Sequence, residues 1–159
     1  MTAITRILVP MDFGAHANRA ADYALALARN CGAWVELLHV VEDPFAAGGW
    51  GSEMYLTDIE GLRERALEDA STQLDEIRES LLGQNVPLLA TVRMGRPAQT
   101  IVDYATDAHA DLIVMGTRGR TGLAHMITGS VAERVVRTAP CPVLTVGAHG
   151  VEREGRVAA

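Results

Sequence analysis

Three things are scarce in this chain: aromatic side chains, cysteine and positive charge. Only 4% of its 159 residues are aromatic whereas 48% are apolar, so its core must be aliphatic and rich in alanine. The net charge of −6 argues against nucleic acid or an anionic membrane as the main partner. The two cysteines, Cys31 and Cys141, lie far apart and form no C-x-x-C motif of a metal or redox site, which fits a reducing cytoplasm. We expect both to be small buried side chains of the core.

Long apolar runs are also missing. No run approaches the roughly 20 residues that a transmembrane helix needs, and no apolar stretch typical of a signal peptide follows residues 1–6. We therefore expect a cytoplasmic protein that does not enter the membrane. A length of 159 residues predicts one domain, which we place at residues 1–147, with a loose polar tail at 148–159.

Several functional motifs are absent as well. The chain contains no G-K-[ST] of a Walker A loop, and Pro10–Gly14 lacks the G-x-G-x-x-G pattern of dinucleotide-binding proteins. Its five histidines show no metal-ligand spacing, and no nucleophile lies in a motif that would pair it with a base. We therefore assign no catalytic residue and no metal ligand from the sequence.

Strand-like and helix-like segments alternate along the chain. Short β-rich runs predict five strands, at Ile4–Val9, Trp34–Val41, Val86–Arg93, Leu112–Met115 and Pro142–Val146. Apolar residues at helical spacing predict four helices, which start near Ala15, Thr57, Pro97 and Ser130. An irregular loop, Glu42–Leu56, follows the second strand. The alternation predicts an α/β fold, an open five-stranded parallel sheet with helices on both faces.

Two prolines predict the strand order. Pro87 and Pro142 fall in the third and fifth predicted strands, and a residue without an N–H donor is favoured at a sheet edge. This suits the order 3-2-1-4-5, in which the first and fourth strands meet at the topological switch. Ligands of open α/β sheets bind beyond the carboxyl ends of the strands at that point. We therefore expect Asp12, after the first strand, and Gly116, after the fourth, to converge.

The most informative motif follows the fourth strand. Two residues separate Gly116 from Gly119, and nine residues separate Gly119 from the pair Gly129 and Ser130. A helix is predicted to begin at that pair. Glycine lets the backbone approach a ligand closely, and the N–H groups of a helix start suit a phosphate. Spacing alone leaves a second explanation open, because the glycines could serve turns and Ser130 could cap the helix together with Glu133.

Charged side chains near this motif allow two explanations each. Arg118 and Arg120 would pair with phosphates, although solvated loop arginines are more common. Asp12 would accept a hydrogen bond from a ribose hydroxyl or help to position a metal ion, and the alternative is a cap for the helix that starts near Ala15. His39 lies within the second strand, where a core histidine with its hydrogen bonds satisfied is expected.

From Ile4 to Val146 the chain resembles the universal stress protein family, and within it the ATP-binding branch. The stretches on which the resemblance rests are Ile7–Phe13, Leu37–Val41, Asp111–Gly119, Gly129–Glu133 and Ala139–Leu144. The ATP signature of that family is G-2x-G-9x-G-[S/T], and Gly116, Gly119, Gly129 and Ser130 match it without a gap.

The resemblance implies a set of residues around an adenine nucleotide. Those near the adenine and ribose are Pro10, Met11, Asp12, Val40, Met115 and Gly116, with Val41 as the alternative to Val40 for the backbone that lines the adenine pocket. Those at the phosphates are Gly119, Gly129, Ser130 and Val131, together with Arg118 and Arg120 from the argument above. Met11 stands where relatives often have threonine, so a polar side-chain contact is not expected there.

The resemblance also implies a function and a partner. It predicts a cytoplasmic ATP-binding protein that acts as a nucleotide-responsive regulator in the stress response. The implied assembly is a homodimer that pairs through the fifth strand, and the regulated protein is unknown. One alternative is a slow ATPase or phosphoryl-transfer enzyme, with Mg²⁺ held by Asp12 and the phosphates. Another is a module that binds a partner protein and holds its nucleotide only as a structural element.

Overall fold

A computed structural model describes residues 3–43, 59–117 and 130–147. The strands and helices in chain order are β1 (Arg6–Met11), α1 (Ala15–Cys31), β2 (Trp34–Val41), α2 (Ile59–Ser80), β3 (Leu88–Met94), α3 (Pro97–Asp107), β4 (Leu112–Gly116), α4 (Ser130–Thr138) and β5 (Val143–Val146). The predicted loop after the second strand falls outside the described residues from position 44 to 56, and so does the predicted tail at 148–159.

The five strands form one parallel sheet in the order β3-β2-β1-β4-β5, which confirms the predicted fold class and order. The prolines behind that prediction lie one residue outside the strands, because β3 and β5 begin later than expected. Each proline still joins the sheet through its carbonyl, since Val35 N donates to Pro87 O at 2.9 Å and Ile113 N donates to Pro142 O at 3.0 Å.

The first strand ends two residues later than predicted and therefore includes Pro10, although this strand is the central one of the sheet. Pro10 and Met11 belong to β1 and pair with Leu38 and His39 of β2. On the other side, the ladder with β4 ends at the pair Leu8 and Ile113. Because Pro10 has no N–H, it cannot donate to a continued ladder. The two central strands therefore stop pairing before their carboxyl ends, at the predicted switch.

Helices cover both faces of the sheet, and each face has its own apolar core. On one face α1 packs with five fully or nearly fully buried alanines, Ala17, Ala20, Ala21, Ala24 and Ala28, and α2 adds Leu74. On the other face, α3 and α4 contribute Ala98, Ile101, Ala105, Ala132 and Val135. The expected alanine-rich aliphatic core is confirmed. Small side chains let these helices lie close to the sheet.

Cysteine burial was predicted incorrectly. Cys31 is the last residue of α1 and is exposed, while Cys141 is half-buried, and both are free thiols. Burial raises the pKa of the Cys141 thiol, and the negative charge of Asp111 raises it further.

Within the residues that the structure describes, no helix combines the length and apolar character needed to cross a membrane.

Asp111 ties the amino end of β1 to the start of β4. Its Oδ2 accepts hydrogen bonds from Thr5 N at 2.8 Å, Thr5 Oγ1 at 2.8 Å and Arg6 N at 3.0 Å. These bonds, foremost those from Thr5, lower the pKa of the Asp111 carboxyl below its ordinary value of 3.8. The contribution to stability is therefore present above pH 3.8 and is lost as the pH falls through the lower folded-state pKa.

We expect Asp111→Asn to lower the free energy of unfolding at pH 7 by about 1 kcal/mol, because the carboxylate is solvent-screened. The deficit should shrink as the pH drops below 3.8, where the wild-type carboxyl also becomes neutral. Urea titrations across pH measure this, with Asp22→Asn on the exposed face of α1 as the control. A deficit that stays constant down to the lowest pH would contradict the assignment.

Candidate functional site

The candidate site is the crevice where β1 and β4 separate at their carboxyl ends. Counting on from the pair Leu8 and Ile113 at the same register places Met11 level with Gly116. Asp12 follows Met11 directly, so the acidic residue and the first glycine of the motif meet at the same edge of the sheet. This convergence is the one that the strand order predicts.

Asp12 holds the backbone that enters α1. Its Oδ1 accepts a hydrogen bond from Gly14 N at 2.9 Å, while Gly14 itself is the N-cap residue and no side chain caps the helix. The capping alternative is therefore wrong in its simple form, because Asp12 bonds ahead of the helix and not to its first turn. Its Oδ2 receives no hydrogen bond from the part of the chain that the structure describes, and the side chain is half-exposed.

A strained residue sits beside this carboxylate. Phe13 has a φ of 64°, a backbone conformation that bulky L-residues rarely adopt. Its ring stacks on His39, with centroids 4.1 Å apart, and His39 Nδ1 lies 2.7 Å from Met11 O. The expected hydrogen-bonded histidine is thus present, half-buried at the carboxyl end of β2. Strain of this kind persists only where the surroundings fix the conformation, and it is concentrated at functional sites.

Gly116 is needed for packing as well as for any ligand. A Cβ built at this residue would lie 2.8 Å from His16 Cβ, 3.0 Å from the carbonyl carbon of His16 and 3.2 Å from its oxygen. The missing side chain therefore points at the first turn of α1. The sequence argument explained Gly116 by the approach of a ligand or by a turn, and the contact with α1 is a further, structural reason that it missed.

Most of the apolar side chains predicted to lie around the adenine base are buried in the apolar cores of the protein. Met11 and Met115 are 3% and 4% exposed and belong to the cores on opposite faces of the sheet. Pro10 is buried, and Val40 is half-buried against the core on the α3 face. Only main-chain atoms of Met11 and Met115 are therefore available to a ligand without repacking. Their roles, and that of Val40, stay predictions.

Much of the predicted phosphate region lies outside the described residues, namely Arg118, Gly119, Arg120 and Gly129. The described part begins with Ser130 as the first residue of α4, although nothing is described of its side chain. Val131 is half-buried, and its side chain packs against the core. Its N–H lies in the first turn of the helix and has no acceptor within the helix. Glu133 accepts a hydrogen bond from Arg137 Nη2 at 2.6 Å, four residues on.

A metal ion has few ligands here. The described ranges contain no group of three or more histidine, cysteine or acidic side chains that could hold one. Asp12 offers a single carboxylate, with one oxygen already bonded to Gly14 N. Mg²⁺ is commonly bound by one or two carboxylates together with phosphates of a nucleotide. The residues present therefore fit a metal ion that arrives with a nucleotide and not a separate protein site.

Comparison with known proteins gives one consistent family. The family model described as "Universal stress protein family" matches residues 3–147. The universal stress protein MJ0531 of Methanocaldococcus jannaschii is 36% identical over 146 residues, which cover 89% of this chain and 81% of that protein. A universal stress protein of Thermus aquaticus is 37% identical over 143 residues, covering 88% of this chain and 96% of that protein.

Solved structures agree with this comparison. The structure of MJ0577, a universal stress protein of Methanocaldococcus jannaschii, has a TM-score of 0.81 at 27% identity, covering 94% of this chain and 99% of that one. Two more distant universal stress proteins share the fold and were solved with nucleotides. One, at 21% identity, is in complex with cAMP, and one from Archaeoglobus fulgidus, at 24% identity, is in complex with dAMP.

Proposed function

Since the chain belongs to the universal stress protein family, we propose that it binds ATP and acts in the cytoplasm as a nucleotide-responsive regulator of the stress response. The observation on which this rests is the convergence of Asp12 and Gly116 where β1 and β4 stop pairing. The glycine motif starts at that point and ends at the first residue of α4.

The chemistry of the crevice suits an adenine nucleotide. Asp12 Oδ2, which receives no hydrogen bond from the described residues, can accept hydrogen bonds from ribose hydroxyls, while Oδ1 keeps the backbone at Gly14 in place. The first-turn N–H groups of α4, including that of Val131, suit a phosphate because they have no partners within the helix. The chain has no lysine, and all 14 of its lysine-or-arginine residues are arginines. Arg118 and Arg120 lie within the glycine motif and are therefore the candidates to pair with the phosphates. A Mg²⁺ ion bound to those phosphates would neutralise part of their charge.

Isothermal titration calorimetry with ATP, ADP, AMP and adenosine tests the proposal, with GTP as the control for the base. We expect saturable binding of ATP with weaker binding of adenosine, because the phosphates add contacts at α4. No heat of binding at millimolar ATP would overturn the proposal. Phosphate release measured on the same sample distinguishes a regulator from the slow ATPase considered above, since a regulator releases no more than the buffer control.

The proposal includes a homodimer that forms through β5. This strand is at the sheet edge, and among the strands that the structure describes none pairs with the outer side of Val143–Val146. Leu144 is 39% exposed there, and Val136 on the neighbouring helix α4 is 52% exposed. An edge strand flanked by apolar side chains can pair with a second copy. Sedimentation velocity should show a dimer that Leu144→Lys converts to a monomer, whereas a monomeric wild type would contradict it.

A further inference from the structure

His16 is a polar residue of the crevice that the sequence argument did not use. It lies in the first turn of α1, and its Cβ is the nearest atom to the position that a Gly116 side chain would occupy, at 2.8 Å. Its ring nitrogen Nδ1 is buried and has no hydrogen-bond partner among the residues that the structure describes. A buried polar atom without a partner costs about 1–3 kcal/mol, so such an atom calls for an explanation.

The surroundings of His16 favour a negatively charged partner. The first hydrogen bond of α1 runs from Asn18 N to Gly14 O at 3.1 Å, so the N–H groups of residues 15–17 have no partner within the helix. The helix start has no side-chain cap and no acidic residue in its first turn. Two charged side chains of this part of the chain are Asp12, whose Oδ1 accepts a hydrogen bond from Gly14 N, and Arg19, whose Nη1 donates to Gly147 O at 3.5 Å.

We propose that His16 is a nucleotide-contacting residue of this site, whose imidazole hydrogen-bonds a phosphate oxygen of the bound nucleotide. This inference rests on the proposed function, because it adds a residue to the same crevice. Rotation about the bond between Cα and Cβ turns the ring of His16 away from its buried position, and the bound phosphate supplies the partner that Nδ1 lacks. The site then contacts the phosphates from both helix starts, α1 and α4, on opposite faces of the sheet. The ligand class is a phosphorylated nucleoside in preference to the free nucleoside.

The test compares ATP and adenosine binding by the wild type, His16→Ala and the control Asn18→Ala, which alters an exposed residue of the same helix. We expect His16→Ala to weaken ATP binding about 5- to 20-fold, in line with the loss of one charge-assisted hydrogen bond. Adenosine binding should stay at the wild-type value, and the melting temperature should not fall, since His16→Ala removes a ring whose Nδ1 has no hydrogen-bond partner among the described residues. A His16→Asn variant, which restores a polar atom near the position of Nδ1, should recover part of the ATP affinity.

Each other result has a definite meaning. Equal losses of ATP and adenosine affinity, or unchanged ATP affinity in His16→Ala, would overturn the role of His16 while the proposed function stands. The same holds if His16→Asn folds normally and binds ATP no better than His16→Ala. If the wild type binds no nucleotide at all, the proposed function fails first and this inference fails with it. The wild-type titration therefore separates the two failures.

Discussion

Replacing Gly116 with alanine should lower the free energy of unfolding by about 1–3 kcal/mol, as overpacking at a tight contact does. Three atoms of His16 would lie within 3.2 Å of the new methyl group, and two of them are backbone atoms of α1. A flexible side chain could move aside, but the backbone of a helix packed on the sheet cannot move without disturbing the core. Nucleotide binding should weaken as well, because α1 and the end of β4 both border the crevice.

Gly147→Ala is the matched control for this prediction. Gly147 follows β5 at the same end of the sheet, and a Cβ there would meet only Thr117 Oγ1, at 3.9 Å. Urea denaturation of both variants should therefore show a large loss for Gly116→Ala and a small change for Gly147→Ala. Equal stability of the two variants would contradict the packing argument. It would also remove the contact with α1 as a reason for glycine at position 116.

Substitution of Asp12 by asparagine should weaken ATP binding about 10- to 100-fold, the usual effect of losing hydrogen bonds to a charged acceptor. Asparagine keeps an oxygen for the Gly14 N–H, so the entry to α1 remains intact. Asp12→Ala should lose similar affinity and also stability, because no acceptor remains for that N–H. A comparison of the two variants thus separates the ligand role of Asp12 from its local structural role.

A ligand lacking the ribose hydroxyls makes this prediction sharper. The wild type should bind 2′,3′-dideoxy-ATP more weakly than ATP, because the partners of Asp12 are removed. Asp12→Asn should bind the two nucleotides with much more similar affinities, since the variant and the ligand each remove the same interaction. Calorimetric titrations give all four affinities. If the hydroxyls matter equally in the wild type and the variant, Asp12 does not contact the ribose.

Sequence reasoning succeeded where a pattern has one structural meaning. Alternating strand and helix segments predicted a parallel sheet, and Pro87 and Pro142 identified its edges even though each lies just before its strand. The end of β1 was predicted less well. Pro10 lies in a central strand and, lacking an N–H, cannot extend the ladder with β4, which ends at the pair Leu8 and Ile113; the sequence does not show how far that ladder extends.

Features that depend on distant contacts could not be predicted. Glu36 is 4% exposed in β2, a position where the sequence suggests no partner. Its Oε1 accepts hydrogen bonds from Tyr104 OH on α3 and from Thr91 Oγ1 at 3.0 Å on β3. Burial and the bond to Glu36 raise the pKa of the Tyr104 hydroxyl, so it stays protonated as the donor. The contact of His16 with Gly116 belongs to the same class, because only the docking of α1 brings the two residues together.

The most direct test is a crystal structure of the protein grown with ATP and Mg²⁺. The account predicts the ribose at Asp12, beyond the separated ends of β1 and β4, and the phosphates at the first turn of α4 near Val131. Nucleotide density elsewhere on the molecule, or an empty crevice in crystals of protein saturated with ATP, would contradict it.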